Sequence, residues 1–436
     1  GISRRKAGKV AETPVGQAPQ AIHNRAIRPF PLRVSPTTRQ LRMRHRPTSP
    51  RQVPSIAIMF LLCGACFAGD ALIAKADSPV TEAKQPMGRL EQSDGRITLI
   101  QNGKPVLTYN VTAPPLPEGI DAACYRSGCL HPVLTPAGAV VTGMNSPDHA
   151  HQNGIFSAWV KTRLEGRRVD FWNMHNRTGR VDHEKIVQTN NDKNAPGFVV
   201  QLLHRAKPAG QQSTDRSSAT SKTDPAGYDP SNWVNVLRDT WTVTLRPSNE
   251  PVHRFDLTFH QVAMNGQTLT IDKHIYGGIG IRGRRDWLLP QNATQDDPNS
   301  NVRMGIDSGA GRLAGNHQTA RWAFLSGPVP VGAVSGNAVS GGAAQERDQR
   351  FKKVEDMPAN SSASVIVLSH PDNFRAPQTV RLHPRMPYFC FAPCVTQGFQ
   401  IDQQNPYTGR YRFLVVDGRP STDWVNKQWR QFANQH

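Results

Sequence analysis

The sequence predicts an all-β protein, a large antiparallel β-sandwich with a single helix at its C-terminal end. Residues 241–245 and 255–259 alternate apolar with polar side chains, which is typical of strands with one buried face. A helical period is found only near the C-terminus, where Ser421 or Thr422 can cap an amphipathic helix. Antiparallel strands with long connections and almost no helix favour a sandwich over a mixed α/β fold.

The strands can be followed in chain order from residue 96. Runs at 96–100 and 106–109 flank Asn102-Gly103, a dipeptide that is typical of hairpin turns. Further apolar runs predict strands at residues 155–160, 166–173, 198–203, 364–368, 388–391 and 411–416. Residues 130–138 and 207–229 are rich in Pro, Gly or Ser and indicate connections between strands.

The N-terminal part of the chain carries most of the positive charge. The formal net charge is +19, and residues 1–53 hold twelve Lys or Arg against the single acid Glu12. The rest of the chain is close to balanced and lacks the basic, aromatic pattern of a nucleic-acid-binding fold. We therefore expect no nucleic-acid partner.

Residues 43–76 predict a signal peptide. Met43 is followed by an arginine-rich stretch, by the apolar run 56–68, and by a small-residue cleavage site before Asp77. The apolar run is too short to span a membrane comfortably. We expect an exported, periplasmic or extracellular protein that does not span the membrane, with residues 77–436 as one domain. Residues 1–42 would be a basic disordered segment, which translation from Met43 would omit.

Four cysteines fall within the predicted domain as two close pairs, Cys124/Cys129 and Cys390/Cys394. Export permits disulfides, and an even number is consistent with them. Three connectivities are open, and we expect local pairing. A zinc site of four cysteines does not suit these spacings.

The stretch most suited to chemistry is the turn-bounded segment 146–154, which contains Asp148, His149 and His151. If its backbone were extended, the period of two would place both imidazoles on one face. Two adjacent imidazoles suit proton transfer or metal ligation. The alternative is a hydrogen-bonded structural pair.

Three further clusters carry polar groups that could join this segment. Residues 274–282 combine glycines with Tyr276 and Arg282, a fork-shaped donor for an anion or for hydroxyls. Residues 370–373 end an apolar strand with His370, Asp372 and Asn373, where turn formation is the alternative role. The weakest cluster is residues 381–383, Arg-Leu-His.

An ordered set of motifs resembles a family of secreted bacterial proteins that carries the name methane oxygenase PmoA. The motifs lie within residues 131–138, 147–154, 169–173, 276–282, 370–373 and 411–418, so the resemblance covers about residues 90–435. The family pattern around the central segment is closer to Pro-Asp-His-Pro-His-His-Arg-Gly. Here Ala150, Gln152 and Asn153 replace Pro, His and Arg, so a third imidazole and a cation are missing. The family name implies a membrane copper enzyme, which a chain without a bundle of membrane helices does not fit.

These observations predict a mutarotase-like supersandwich, or a related large sandwich, that acts on a carbohydrate. The expected catalytic residues are His149, His151 and Asp372. The expected substrate-binding residues are Asp148, Asn153, Trp172, Tyr276, Arg282, His370 and Asn373, with Trp159, Trp172 and Trp287 as stacking surfaces. Arg282 would bind a uronate or stabilise developing negative charge. Hydrolase, lyase and epimerase chemistry are not separable, and no cofactor is required.

Two alternatives come from other functional classes. One is a metal-dependent oxidase or oxygenase with a divalent metal on His149, His151 and a distant imidazole such as His274 or His370. The other is a non-catalytic glycan-binding envelope protein. We expect His149, His151, Arg282 and Asn373 to line one pocket, because each lies at a turn-bounded strand end.

Overall fold

In the computed structural model, two eight-stranded antiparallel sheets pack face to face and enclose the main hydrophobic core. The structure describes residues 87–210, 229–293, 300–329 and 361–435. The predicted signal peptide and the basic segment before it lie outside these residues. Among the described residues, no helix is both long enough and apolar enough to cross a membrane.

The first sheet has the strand order β1-β2-β3-β4-β5-β13-β18-β17. Its strands are β1 (Gly88–Ser93), β2 (Arg96–Gln101), β3 (Lys104–Asn110), β4 (Leu130–Val133), β5 (Ile155–Ala158), β13 (Gly278–Arg282), β17 (Val380–Leu382) and β18 (Tyr388–Phe391).

The second sheet has the order β14-β15-β16-β20-β11-β10-β9-β8. Its strands are β8 (Gly179–Asn190), β9 (Gly197–Ala206), β10 (Val234–Leu245), β11 (Val252–Ala263), β14 (Arg303–Ile306), β15 (Trp322–Pro328), β16 (Ser362–Ser369) and β20 (Tyr407–Asp417).

A small four-stranded sheet and a few helical segments complete the described fold. The small sheet, of order β19-β12-β6-β7, contains β6 (Thr162–Leu164), β7 (Arg167–Val169), β12 (Leu269–Ile271) and β19 (Phe399–Ile401). Short 3₁₀ helices cover Ala122–Cys124, Met174–Asn176 and Arg285–Trp287, and helix α1 covers Thr422–Ala433.

The core lies between the two large sheets because their strands turn alternate side chains toward each other. Phe391 of β18 meets Tyr411 of β20, with ring centroids 5.5 Å apart. Polar contacts also cross the gap: Gln261 of β11 accepts a hydrogen bond from Trp159 Nε1 at 2.8 Å and donates one to Ser157 Oγ at 3.3 Å. A buried amide with these partners does not carry the cost of an unpaired polar group.

Helix α1 covers the opposite, outward face of the second sheet. Its N-terminus is capped by Ser421, whose side chain accepts a hydrogen bond from the backbone N–H of Trp424. Val425 and Phe432 pack in a second apolar cluster with Leu368 of β16 and Leu414 of β20. The predicted cap and apolar stripe are therefore confirmed.

The outward face of the first sheet supports the site described below. Strand register places Phe156 of β5, Gly280 of β13, Cys390 of β18 and Arg381 of β17 in one row across four neighbouring strands. Trp172 lies over this row, and a Cβ at Gly280 would approach its ring to 2.9 Å. Glycine at this position lets the loop that contains Trp172 lie close to the sheet.

The fold class predicted from the sequence is confirmed: the described chain consists mostly of antiparallel strands and ends in one helix. Asn102 and Gly103 form the turn between β2 and β3, both with positive φ, as a two-residue hairpin requires. Two local predictions are wrong. Residues 130–133, expected to be a connection, form β4, and the strand expected at 166–173 ends at Val169.

The expected disulfides are not present in the structure. Cys124, Cys129, Cys390 and Cys394 are free, buried thiols. Two of them have close polar partners elsewhere: Tyr388 Oη donates to Cys390 Sγ at 3.1 Å, and Cys394 Sγ lies 3.7 Å from the carbonyl oxygen of His274. Burial raises the pKa of Cys390 to about 11 and that of Cys394 to about 12. These thiols are therefore poor nucleophiles at neutral pH.

We expect protein that starts at Asp77 to show no reactive thiol while folded and four after denaturation without a reductant, because burial raises the pKa of all four thiols and keeps them neutral. Titration with a chromogenic disulfide reagent, before and after addition of guanidinium, measures both numbers. Fewer than four thiols in the denatured protein would show that a disulfide forms and would contradict the structure on this point.

Candidate functional site

A polar cleft opens over the outward face of the first sheet, beside β13, β17 and β18. Its volume is about 580 Å³, within the range of small-molecule sites. Imidazoles, carboxylates, amides and phenols dominate its lining, which consists of Gly119, Ile120, Asp121, Cys124, Pro147, Asp148, His149, Ala150, His151, Gln152, Asn173, His175, Tyr276, Arg381, His383, Met386 and Tyr388. Four of these residues are histidines.

The loop before β5 forms one wall of the cleft. It is not extended: the backbone N–H of His149 bonds to the Ser146 carbonyl and that of Gln152 to the His149 carbonyl, which gives two successive turns. Gly154 ends the loop with φ +59°, and a Cβ there would lie 2.1 Å from the Leu130 carbonyl oxygen. The turns still bring the rings of His149 and His151 together, with centroids 5.5 Å apart. The predicted proximity is confirmed, although the extended backbone invoked for it is wrong.

A buried ion pair attaches this loop to the sheet. Arg282, at the end of β13, is fully buried, and its Nη2 lies 2.8 Å from both carboxylate oxygens of Asp148. Its Nη1 donates to Gln152 Oε1 at 3.2 Å. Burial alone would raise the pKa of Asp148, but the neighbouring His149 and the Arg282 guanidinium outweigh it and hold that pKa well below its ordinary range. Asp148 is therefore ionised across the working pH range.

His149 is oriented by this carboxylate. Its Nδ1 is buried, makes no hydrogen bond to any described residue, and lies 3.5 Å from Asp148 Oδ2. The side chain is 40% exposed and lines the cleft; because Nδ1 is buried, the exposed part of the ring is the edge that carries Nε2. A small closure would turn the Nδ1 contact into a hydrogen bond, as catalytic contacts often tighten when a ligand binds.

His151 lies deeper than His149 and packs against His175, with ring centroids 5.1 Å apart. Burial, together with the neighbouring His175 and His149, lowers the pKa of His151 to about 3. The ring is therefore neutral at pH 7 and supports the floor of the cleft.

His383 faces this pair from the turn between β17 and β18. Its Nδ1 accepts hydrogen bonds from the backbone N–H groups of Arg385, at 3.1 Å, and Met386, at 2.9 Å. The neutral ring must then carry its proton on Nε2. Burial, followed by the charge of Arg381, lowers the pKa of His383 to about 3. His383 is therefore a neutral imidazole with a fixed tautomer, a hydrogen-bond donor at Nε2.

Tyr276 supplies a second donor. Its hydroxyl oxygen accepts a hydrogen bond from Asn173 Nδ2 at 3.3 Å, which leaves the phenolic proton available. Burial raises the pKa of Tyr276, so the phenol keeps its proton at neutral pH. Asn173 is itself fixed by Asp170, whose Oδ2 accepts from the same amide nitrogen at 2.8 Å.

Several predicted site residues have a different position. Arg282 and Asn153 lie beneath the cleft rather than in its lining, and Asn153 Oδ1 accepts from the backbone N–H of Asn145 at 3.1 Å. The Arg282 guanidinium is occupied by Asp148, so it is not the uronate ligand that the sequence indicated. Both residues brace the histidine loop instead.

His370, Asp372 and Asn373 do not line the cleft. They follow β16 in the second sheet, where His370 packs edge-on against Phe432 of helix α1. Asn373 Nδ2 donates to the Arg410 carbonyl, and its Oδ1 accepts from the Arg410 N–H, in an arrangement that closes a turn. Of the four residues expected in one pocket, the cleft contains His149 and His151 but not Arg282 or Asn373. Asp372 is also outside the cleft and cannot act with the imidazoles.

The tryptophans expected as stacking surfaces are fully or almost fully buried. Trp159 and Trp287 have their ring N–H groups bonded inside the protein, to Gln261 Oε1 and to the Pro328 carbonyl. Trp172 packs against Phe156, with ring centroids 4.6 Å apart. Each ring therefore contributes core packing rather than a surface for a ligand.

Sequence reasoning missed some contributors and gave others little weight. His175 and Asp121 carried no local signal, because each joins the cleft only through contacts with residues distant in sequence. The weak cluster 381–383 is the one that supplies both Arg381 and His383. Within the described part of the chain, no three His, Cys, Asp or Glu side chains are arranged to hold a metal ion. His274 lies outside the lining of the cleft.

The fold and the site together define an all-β sandwich protein with a histidine-lined cleft over one sheet. The model of a family of unknown function, DUF6807, matches residues 96–430, and the chain belongs to this family. A search of the curated proteins finds no match to the chain.

Among solved structures, the chain is similar to the heparan sulfate lyase HepC from Pedobacter heparinus. The TM-score is 0.29 at 9% identity, over 77% of this chain and 35% of that one. It is also similar to a protein described as "Putative kojibiose phosphorylase from human microbiome". Here the TM-score is 0.30 at 6% identity, over 80% of this chain and 33% of that one. The chain thus matches about a third of the length of each structure.

Loss of Asp148 should destabilise the protein more than loss of Arg282. Asp148→Ala leaves a fully buried guanidinium without its counter-charge, and we expect a loss on the order of 3–5 kcal/mol in the free energy of unfolding. Arg282→Met leaves a carboxylate that water can reach, so the loss should be smaller. Asp272→Ala, which removes the exposed pair with Arg163, is the control and should cost less than about 1 kcal/mol. Urea unfolding measures all three, and equal small losses would contradict this account of the loop.

His151 should make stability depend on pH below neutrality. In the unfolded chain it binds a proton below about pH 6.5, whereas the folded pKa is about 3. The free energy of unfolding is therefore unaffected by this group above about pH 6.5. Between about pH 6.5 and the folded pKa it falls by about 1.4 kcal/mol for each unit by which the pH is lowered. His151→Gln should flatten the slope of unfolding free energy against pH between about 6.5 and 4. His260→Gln, at an exposed position of β11, is the control, and equal slopes in the two variants would refute the assignment.

Proposed function

We propose that the protein is a carbohydrate-active enzyme that uses imidazole acid–base chemistry in the histidine-lined cleft. The observation that carries the proposal is the convergence of His149, with its orienting carboxylate, on the same cleft as two fixed proton-bearing groups, His383 and Tyr276. Acid–base catalysis needs one group poised to take a proton and another able to donate one.

His149 is assigned as the general base. Its Nδ1 faces the ionised carboxylate of Asp148, and its exposed edge faces the cleft. The Asp148 carboxylate can accept a hydrogen bond from the Nδ1–H of His149, which leaves the lone pair of Nε2 free to take a proton from a ligand. Because Arg282 fixes the Asp148 carboxylate, the group that orients His149 is in place before a ligand binds.

Tyr276 is assigned as the acid, and His383 as a donor that positions the ligand. The phenol is protonated and has its oxygen held by Asn173. The His383 ring donates from Nε2 without changing its protonation state. A neutral imidazole donor can polarise a hydroxyl, a glycosidic oxygen or a carbonyl.

A glycan fits the remaining lining. Amide, carboxylate, imidazole and phenol groups give many donors and acceptors for hydroxyls, while Ile120, Pro147 and Met386 add apolar contact for ring carbons. Because residues 43–76 predict a signal peptide, we also propose that the protein is exported and binds its ligand outside the cytoplasm. We also propose that the protein shares the site around His149 and His151 with the family named methane oxygenase PmoA, which its motifs resemble.

His149→Ala should lower kcat on a glycan substrate by roughly 10²–10⁴-fold and leave the melting temperature nearly unchanged, because the partly exposed ring contributes little packing. Asp148→Asn should lower kcat less. The assay is release of products from a panel of neutral and acidic oligosaccharides, followed by chromatography and proton NMR. His260→Ala is the matched control for loss of an imidazole.

Two outcomes would contradict the proposal. Glycan binding without turnover by wild-type protein would favour a binding protein instead. Unfolding of His149→Ala without a separable catalytic defect would leave a structural role for the histidine pair.

A further inference from the structure

Arg381 is the cation of the cleft that has no counter-charge. Among the described residues that line the cleft it is the one Lys or Arg, and no ion pair or hydrogen bond of its guanidinium to a described residue is observed. Each of the two carboxylates in the lining forms an ion pair with an arginine outside the lining: Asp148 with Arg282 at 2.8 Å, and Asp121 with Arg177 at 2.9 Å. Arg381 therefore carries the uncompensated charge.

The position of this guanidinium follows from the strand period. Val380 and Leu382 are fully buried in the core between the sheets, so Arg381, between them on β17, projects from the opposite face. Its cross-strand partner is Cys390, in the row that underlies the cleft. Arg381 lines the cleft together with His383, Tyr276 and Tyr388, so its charge lies among the proton-bearing groups.

An unpaired arginine in such a place suits an oxyanion. Its planar fork matches a carboxylate or a sulfate ester with two parallel hydrogen bonds, which a lysine cannot reproduce. The neutral imidazoles of His151 and His383 do not compete for that anion as cations would, and the Nε2–H of His383 can bind a hydroxyl beside it.

We infer that Arg381 recognises an acidic substituent, a carboxylate or a sulfate ester, on the sugar ring bound in the cleft. This inference rests on the proposed function and narrows its substrate class to acidic glycans. It assigns to Arg381 the anion-binding role for which the sequence had indicated Arg282.

The test compares matched ligands on matched variants. The ligands are a uronate oligosaccharide, the same oligosaccharide with its carboxyl groups reduced to alcohols, and a sulfated neutral oligosaccharide. The variants are Arg381→Gln, Arg381→Lys and Arg238→Gln, the last removing an exposed arginine from β10 in the second sheet. Calorimetry gives Kd, and a melt of each variant reports folding.

Wild-type protein should bind the uronate or the sulfated ligand about ten- to hundredfold more tightly than the reduced one. Arg381→Gln should lose this preference and keep its affinity for the reduced ligand, whereas Arg238→Gln should retain the preference. Arg381→Lys should be intermediate, because charge remains but the fork is lost. Which acidic ligand binds more tightly identifies the substituent.

The outcomes separate the two proposals. Equal affinity of wild-type protein for acidic and neutral ligands, or a preference that survives in Arg381→Gln, overturns the inference and leaves the proposed function standing. Binding of none of the three ligands, nor of any glycan in the wider panel, refutes the proposed function and the inference with it.

Discussion

A charge that cannot reach water governs the organisation of the site. The Arg282 guanidinium lies at the end of a strand in the middle of the first sheet, fully buried, and a lone cation there would be strongly unfavourable. Asp148 is the counter-ion, and it lies on the loop that also contains His149 and His151. The sheet and the loop are therefore held in one arrangement. A buried pair of this kind adds little net stability, but its loss is costly, so its main effect is on conformation.

Burial also sets the proton chemistry around this pair. His151 and His383 are kept neutral by desolvation, and Asp148 is kept charged by its neighbours His149 and Arg282. The cleft thus combines these neutral imidazoles with two carboxylates, Asp148 and Asp121, whose charges are already compensated by Arg282 and Arg177. Against this background a single uncompensated cation, Arg381, has more influence on ligand choice than it would on an open surface, where water and salt screen charge.

The sequence predicts the sheets better than it predicts the site. Alternation along β10 and β11 identifies one buried face, because the period of two is a local property. Alternation does not say which partner a side chain meets. Arg282 ends the apolar strand β13 and Asn373 follows the apolar strand β16, yet one binds the histidine loop and the other closes a turn with Arg410. His383 gave only a weak signal because its role depends on two backbone donors and on a cleft built from distant segments.

The order of strands in the first sheet has a consequence for how the cleft comes into being. β5 and β13 are neighbours in that sheet, but the chain between them forms β8 to β11 of the second sheet. The loop before β5 can contact Arg282 only when the intervening chain brings β13 back beside β5. Bringing together segments so far apart in sequence costs conformational entropy. A contiguous fragment around the histidines therefore lacks both the strand that carries Arg282 and the strands that complete the cleft.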